Sequence, residues 1–347
     1  MNYLDNRFVN HKTKSKVREV NTTASQELEA DVHQFAHYNT KTHALYVYNN
    51  ADKMYKLDGE QITLLDNGVD GVQFVSNPQH EPFEFHPKLV QDGLFWRIMI
   101  HPLNVSPENQ TSPSSGIHSP IWTSGFSTFS HITQKAIFSF WLHSLPFGSL
   151  FPAKPIFVLI GEQGSGKTVA HQKIGRFLFG SQFHVESIDR EREEDFIDIV
   201  TNSVFAVFDN VDCNIPWLED YLVSVATGEP IIHPKTSPPT KSFPSPCGCF
   251  IGLNARTLPF AEFIPERSNV LLRGTKQPRS ITKEQLEGMA FQLLVIRLNR
   301  IKEPIPEEGI YQEVADNRNA LWSEFLLKLN SHVITFASDA EFFKLKR

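Results

Sequence analysis

Ile156-Phe157-Val158-Leu159-Ile160-Gly161-Glu162-Gln163-Gly164-Ser165-Gly166-Lys167-Thr168 is an apolar strand pattern that runs straight into Gly-x-x-x-x-Gly-Lys-Thr. That sequence predicts a phosphate-binding P-loop in the setting the motif requires, a strand before it and a helix after it. The glycines let the backbone turn so that successive N–H groups converge on an anion. The apolar-periodic run 169–179 supplies a helix whose positive N-terminus faces the same anion. Gly161, Glu162, Gln163, Gly164, Ser165 and Gly166 are therefore expected to cradle nucleotide phosphates. Lys167 is expected to reach the β- and γ-phosphates and Thr168 to ligate Mg2+, with ATP and Mg2+ as cofactors.

Outward from the loop, a hydrolysing site needs a carboxylate at the end of a neighbouring buried strand. Val204-Phe205-Ala206-Val207-Phe208-Asp209 has that form, and Asp209 is the expected second holder of Mg2+. Asn210 follows where a water-polarising acid is common. An amide orients water but accepts no proton at neutral pH, and Asp212 is the nearby acid able to substitute. The third apolar run, Phe250-Ile251-Gly252-Leu253-Asn254, ends on an amide that can bond a γ-phosphate or the attacking water; capping a turn is its plainer role. Arg267, in Pro265-Glu266-Arg267-Ser268, suits an arginine that completes a neighbouring subunit's site; a surface ion pair is the alternative. Between the second and third runs, His233, Lys235 and Lys241 have no acid among them and flank a Ser-Pro-Pro turn. A projecting loop of that kind can meet a nucleic-acid backbone, with Phe243 available for stacking, or it can be a solvated surface loop.

The 347 residues leave room for one large or two moderate domains, and 40% hydrophobic with 21% charged residues is ordinary for a globular protein. A net charge of −6 excludes a generally basic, nucleic-acid-coating surface but not a few lysines in a shielded groove. Cys213, Cys247 and Cys249 form no disulfide framework and imply a reducing compartment; Cys247-x-Cys249 lacks the second pair that zinc requires. The start of the chain lacks signal-peptide features. The apolar zone 136–160 is broken by His143, Pro146, Pro152, Lys154 and Pro155, which makes it helix, turn and strand and not a membrane span. A cytoplasmic protein is expected.

Pattern changes divide the chain into a flexible or partner-dependent segment 1–40, a small β-rich domain 41–103, a Ser/Pro/Asn-rich linker 104–125, an ATPase core 126–303 and a C-terminal helical segment 304–347. A weak helical pattern sits at 28–35, residues 94–100 read as an added strand, and 269–272 as a short buried one. Thr282-x-x-Gln285 opens a helix expected over 284–302, and a last helix spans roughly 311–336. Uniformly apolar strands alternating with helices indicate an α/β fold, a mostly parallel sheet covered on both faces.

In its succession of parts the chain resembles the superfamily III helicases of the AAA+ class, and within them the primase/helicase-type ATPases of phages, plasmids and mobile elements. The resemblance covers about residues 130–335. It rests on G-E-Q-G-S-G-K-T at 161–168, F-D-N-V-D at 208–212, P-W-L-E-D-Y-L at 216–222, A-T-G-E at 226–229, F-I-G-L-N at 250–254, E-R-S at 266–268 and R-N-A-L-W-S-E-F-L at 318–326. It implies an AAA+-type P-loop core, Lys167 and Thr168 as Walker A, Asp209 as Walker B, Asn254 as sensor and Arg267 as arginine finger. His233, Lys235 and Lys241 become pore-loop contacts to single-stranded or forked DNA in a homohexameric ring. Asn210 departs from many helicases, and no primase module is recognisable. A nucleotide-dependent switch that recruits a replication, transposition or defence partner through the β unit is the rival reading, and an ATPase that remodels proteins is a third.

Overall fold

The computed structural model describes residues 31–105, 131–151, 154–211, 215, 217–229, 231, 248–257 and 293–344. Six short strands come first: β1 (Asp31–His33), β2 (Ala36–Asn39), β3 (Ala44–Tyr48), β4 (Lys53–Leu57), β5 (Ile62–Asp66) and β6 (Val72–Phe74). The strands β2 to β5 form an antiparallel meander, while β1 pairs in parallel with β6. The turn residues fall between strands as their chemistry demands, with Asn50, Gly59 and Gly68 all at positive φ. Alternation then sorts the side chains. Leu45, Val47, Tyr55 and Leu57 enter the main core, whereas Tyr46, Tyr48 and Met54 pack under Val72 and Phe74.

Two expectations are corrected in this region. The part of 28–35 that is described carries β1, not a helix, because pairing with β6 satisfies its backbone and the apolar pattern is too short to fix a period. Residues 94–100 form a buried helical stretch ending in a π turn (Trp96–Ile100) instead of a strand. A short apolar run reads alike in either state, and here only Arg97 is exposed among otherwise buried or half-buried residues.

Among the described residues, six α-helices and five strands follow: α1 (His131–Ser144), β7 (Ile156–Ile160), α2 (Lys167–Phe179), β8 (Glu186–Ser187), α3 (Glu193–Asn202), β9 (Phe205–Asp209), α4 (Leu218–Thr227), β10 (Phe250–Ala255), β11 (Leu293–Arg297), α5 (Glu307–Asp316) and α6 (Arg318–Lys344). The strands make one parallel sheet in the order β11-β7-β10-β9-β8. Its two faces are buried separately. Phe157, Leu159, Phe205, Val207 and Phe250 pack with Ala170, Ile174, Phe177 and Leu178 of α2. Ile156, Val158, Ile160, Ala206, Phe208, Ile251 and Leu253 pack with Phe196, Ile197 and Val200 of α3 and Leu218, Leu222 and Val225 of α4. The chain is thus an α/β structure with a five-stranded parallel sheet and a separate antiparallel sheet. The strand carrying Asp209 is one removed from the loop strand, because β10 lies between β9 and β7.

The helix expected over 284–302 is also corrected. From Leu293 to Arg297 the chain is β11, paired along its length with β7. Leu293-Leu294-Val295-Ile296 gains ladder bonds and a covered face at the sheet edge, and that outweighs a capping signal upstream. The expected strand 269–272 lies outside the described residues. No helix among the described residues is long and apolar enough to cross a membrane.

The helix α6 joins the two sheets. Its Trp322 ring stacks on Phe83 at 3.8 Å and 5°. Its Asn319, Ser323, Glu324 and Asn330 side chains accept hydrogen bonds from the backbone N–H groups of Glu84, His86, Phe95 and Gly59. Gly59, at φ +94°, is required at that last contact, since an added Cβ would lie 2.7 Å from the Ile334 side chain. Three histidines line the same core, His143 and His171 buried and His80 half-buried. Desolvation pushes His80, His143 and His171 each down from 6.5 to about 4, with the Arg318 charge adding to the effect on His80.

These rings are neutral when folded and take up protons on unfolding, so stability is present above pH 6.5 and is lost as pH falls through about 4. Thermal melts across that window are expected to show Tm falling by roughly 5 °C or more. The His143→Leu variant is expected to flatten the slope, and a flat wild-type profile would contradict neutral burial.

Candidate nucleotide site

The loop 161–166 leaves β7 and enters α2 through two glycines, Gly164 and Gly166, held at φ +79° and +80°. Gly161 has no room for a side chain: an added Cβ would sit 2.5 Å from the Leu298 carbonyl oxygen and 2.8 Å from Ser165 Oγ. The Lys167 ammonium lies within the loop. It donates to the carbonyl oxygens of Gly161 at 2.6 Å and Glu162 at 2.9 Å, and to Ser165 Oγ at 3.2 Å. Burial pulls its pKa down, Asp209 opposes that, and the charge of Arg256 adds to it.

At the tip of β9 the Asp209 carboxylate is fixed on both oxygens. Thr168 Oγ1 donates to Oδ2 at 2.7 Å, and the Asn210 N–H donates to Oδ1 at 2.7 Å. Asn210 itself is exposed and sits at φ +52°, a left-handed bend that an amide residue tolerates better than most. The next N–H, of Val211, donates to the Asn254 carbonyl at 3.0 Å, which ties the two strand ends together. The register pairs Leu253 with Phe208, so Asn254 and Asp209 stand side by side one step further along. Asn254 is fully buried, and its Oδ1 lies 2.7 Å from His171 Nδ1 on α2.

This donor set fits a magnesium nucleotide. A hydroxyl and a carboxylate in direct contact are the hard oxygens Mg2+ prefers. An ammonium inside a loop of backbone dipoles, at the start of a helix, suits phosphate oxygens. Of the residues singled out in the sequence, Gly161 to Thr168, Asp209, Asn210 and Asn254 gather at one end of the sheet. Asp212, His233, Lys235, Lys241 and Arg267 lie outside the described residues.

Other groups at this end were not legible in the sequence. The segment after β11 walls the loop, with Ile301 N–H donating to the Gly164 carbonyl at 3.0 Å and the Arg300 side chain beside Gly164. Asn104 braces that wall from the other sheet's end of the chain, since its carbonyl accepts the Asn299 N–H at 2.8 Å. Reading β11 as helix hid Arg300 and Ile301. Arg256 carried a signal, a cation just past an apolar strand, but nothing in its spacing aims it at Lys167.

No protein-family model matches the chain, and no curated protein matches it. Solved structures do. The apo C-terminal region of NrS-1 is 12% identical with a TM-score of 0.40, over 79% of this chain and 64% of that one. SCCmec type IV Cch, described as an active helicase, is 9% identical with a TM-score of 0.35, over 90% of this chain and 60% of that one. Hsp104 in its closed state with ATPγS and casein is 19% identical with a TM-score of 0.28, over 52% of this chain and 32% of that one. The chain spans somewhat less than two thirds of the NrS-1 region.

Proposed function

We propose that this chain is a cytoplasmic ATP hydrolase of the superfamily III helicase type, which assembles as a hexameric ring and moves along or opens DNA in the replication of a phage, plasmid or mobile element. The observation that carries the reading is the hydrogen bond from Thr168 to Asp209, made at the mouth of a loop whose lysine points inward. Bound ATP with Mg2+ supplies an activated γ-phosphoryl group for transfer to water. The loop amides and Lys167 bind and neutralise the phosphates, and Thr168 and Asp209 hold the metal. Asn254 and Asn210 orient groups at the γ-phosphate end. Asn210 cannot take the water's proton, so proton acceptance falls to Asp212 or to the phosphate itself. Arg267 is assigned to the neighbouring subunit's site, and His233, Lys235 and Lys241 to the DNA backbone.

The test is ATP turnover with and without single-stranded DNA, run beside a native mass measurement and strand displacement on a fork. Stimulated turnover by a ring that displaces a strand supports the motor. The exposed Asn210 favours the switch as second reading, and nucleotide-dependent DNA or protein binding without strand displacement would establish it instead. The Lys235→Ala/Lys241→Ala variant is expected to weaken single-strand binding and to reduce the slope of log affinity against log salt by about 1.4, two phosphate contacts' worth. An unchanged slope would remove the loop from the DNA path.

A further inference from the structure

His171 and Asn254 form a polar pair in an otherwise apolar layer between α2 and the sheet. His171 lies four residues after Lys167, one turn deeper on the inward side of the same helix, and is completely buried. Its ring is held on several sides. Phe157 meets it edge to face at 5.3 Å and 84°. Gly252 opens the space it occupies, since a Cβ there would lie 2.7 Å from Nε2. The ring's hydrogen bond is to Asn254 Oδ1. An amide oxygen only accepts, so Nδ1 carries the proton and Nε2 is bare. With its oxygen engaged, the Asn254 carboxamide is left with its NH2 as the unpartnered end, and that nitrogen is buried. An orphaned donor at this depth is costly and calls for a partner that the described residues do not provide. The strand register sets Asn254 beside Asp209, at the end of the sheet where Thr168 and Lys167 lie.

We propose that His171 is a positioning residue: by holding Asn254 Oδ1 it fixes the carboxamide with NH2 as the free donor, and that donor recognises the γ-phosphate, so that the site tells a nucleoside triphosphate from a diphosphate. This rests on the nucleotide reading above and adds to it the residue that sets the discrimination. The geometry also accounts for a histidine in an apolar layer, because its ring fills the volume over Gly252 while presenting one donor at the height of the amide oxygen. An asparagine side chain places its Nδ2 where the histidine has Nδ1, so His171→Asn keeps the donor and His171→Leu removes it while keeping bulk.

The experiment is equilibrium binding of a non-hydrolysable ATP analogue and of ADP, each with Mg2+, to the full chain and to its His171→Leu, His171→Asn, Asn254→Ala and His171→Leu/Asn254→Ala variants. The expected result is a triphosphate preference in the wild type that drops about tenfold in His171→Leu and in Asn254→Ala. The double variant loses no more than either single one, ADP affinity is unchanged throughout, and His171→Asn retains the preference. If His171→Leu leaves the preference intact, or lowers the affinity for both nucleotides equally, the residue only fills space and the proposal falls. Should His171→Leu show no cooperative melt, an unchanged preference in Asn254→Ala overturns it just as firmly. A wild type that binds neither nucleotide removes the nucleotide reading as well, whereas a wild type that prefers ATP with insensitive variants removes this inference alone.

Discussion

Arg318→Ala is expected to lower the free energy of unfolding by about 4 kcal/mol, one of the largest losses any single side chain of this fold can cause. Arg318 opens α6 and is 7% exposed. Its guanidinium donates to four carbonyl oxygens: Phe177 at 3.0 Å, Pro82 at 2.7 Å, Glu81 at 2.9 Å and Leu178 at 3.2 Å. Two of these belong to the last turn of α2, whose carbonyls have no partner within the helix and present the negative end of its dipole. Burial pushes the guanidinium down to about 10, partly offset by Glu81, so it remains charged at neutral pH. Alanine strands two of the four acceptors outright, Pro82 and Leu178, since Trp322 Nε1 still reaches Phe177 at 3.0 Å and Asn50 Nδ2 still reaches Glu81 at 3.1 Å. Arg318→Lys keeps the charge but cannot span the fork, and is expected to lose about half as much. Urea midpoints read both variants, and a shift under about 1 kcal/mol for alanine would mean that the α2 end is held chiefly by apolar packing around Trp322.

The same residue shows what the sequence could and could not tell. The loop 161–168 was legible because its chemistry is local: glycine conformations, a lysine and a hydroxyl within one turn of a helix. Asp209 and Asn254 were legible for a similar reason, since each ends a uniformly apolar run and polarity at a buried strand tip is a local signal. The bonds of Arg318 reach 140 residues or more along the chain, and no period or spacing encodes them. His171 was hidden in the apolar pattern of α2, where a single imidazole reads as a core residue. The insertion of β10 between β9 and β7 is a fact of pairing, and β11 shows pairing overriding a helix-start signal. What the sequence displayed was each element's own chemistry; which elements meet was settled by burial.

The proposed sharing of the site between subunits leads to a result with an effect larger still. Lys167→Ala removes the one ammonium inside the loop, and Arg267→Ala removes the charge assigned to the adjoining subunit. Each is expected to depress ATP turnover about 10³-fold or more, the first with loss of nucleotide affinity and the second without it. Mixing separates a shared site from two independent defects. In a ring assembled from equal amounts of the two variants, a site works when its own subunit keeps Lys167 and its neighbour keeps Arg267. Random assembly satisfies both conditions at about a quarter of the interfaces, so turnover is expected to return to roughly a quarter of the wild-type rate from two preparations that are each inactive. The recovery needs subunit exchange, which the native mass of a mixture with one size-tagged variant reports directly. If mixed rings form, bind ATP and stay inactive, Arg267 does not act across the boundary, and hydrolysis by this chain is completed within one subunit.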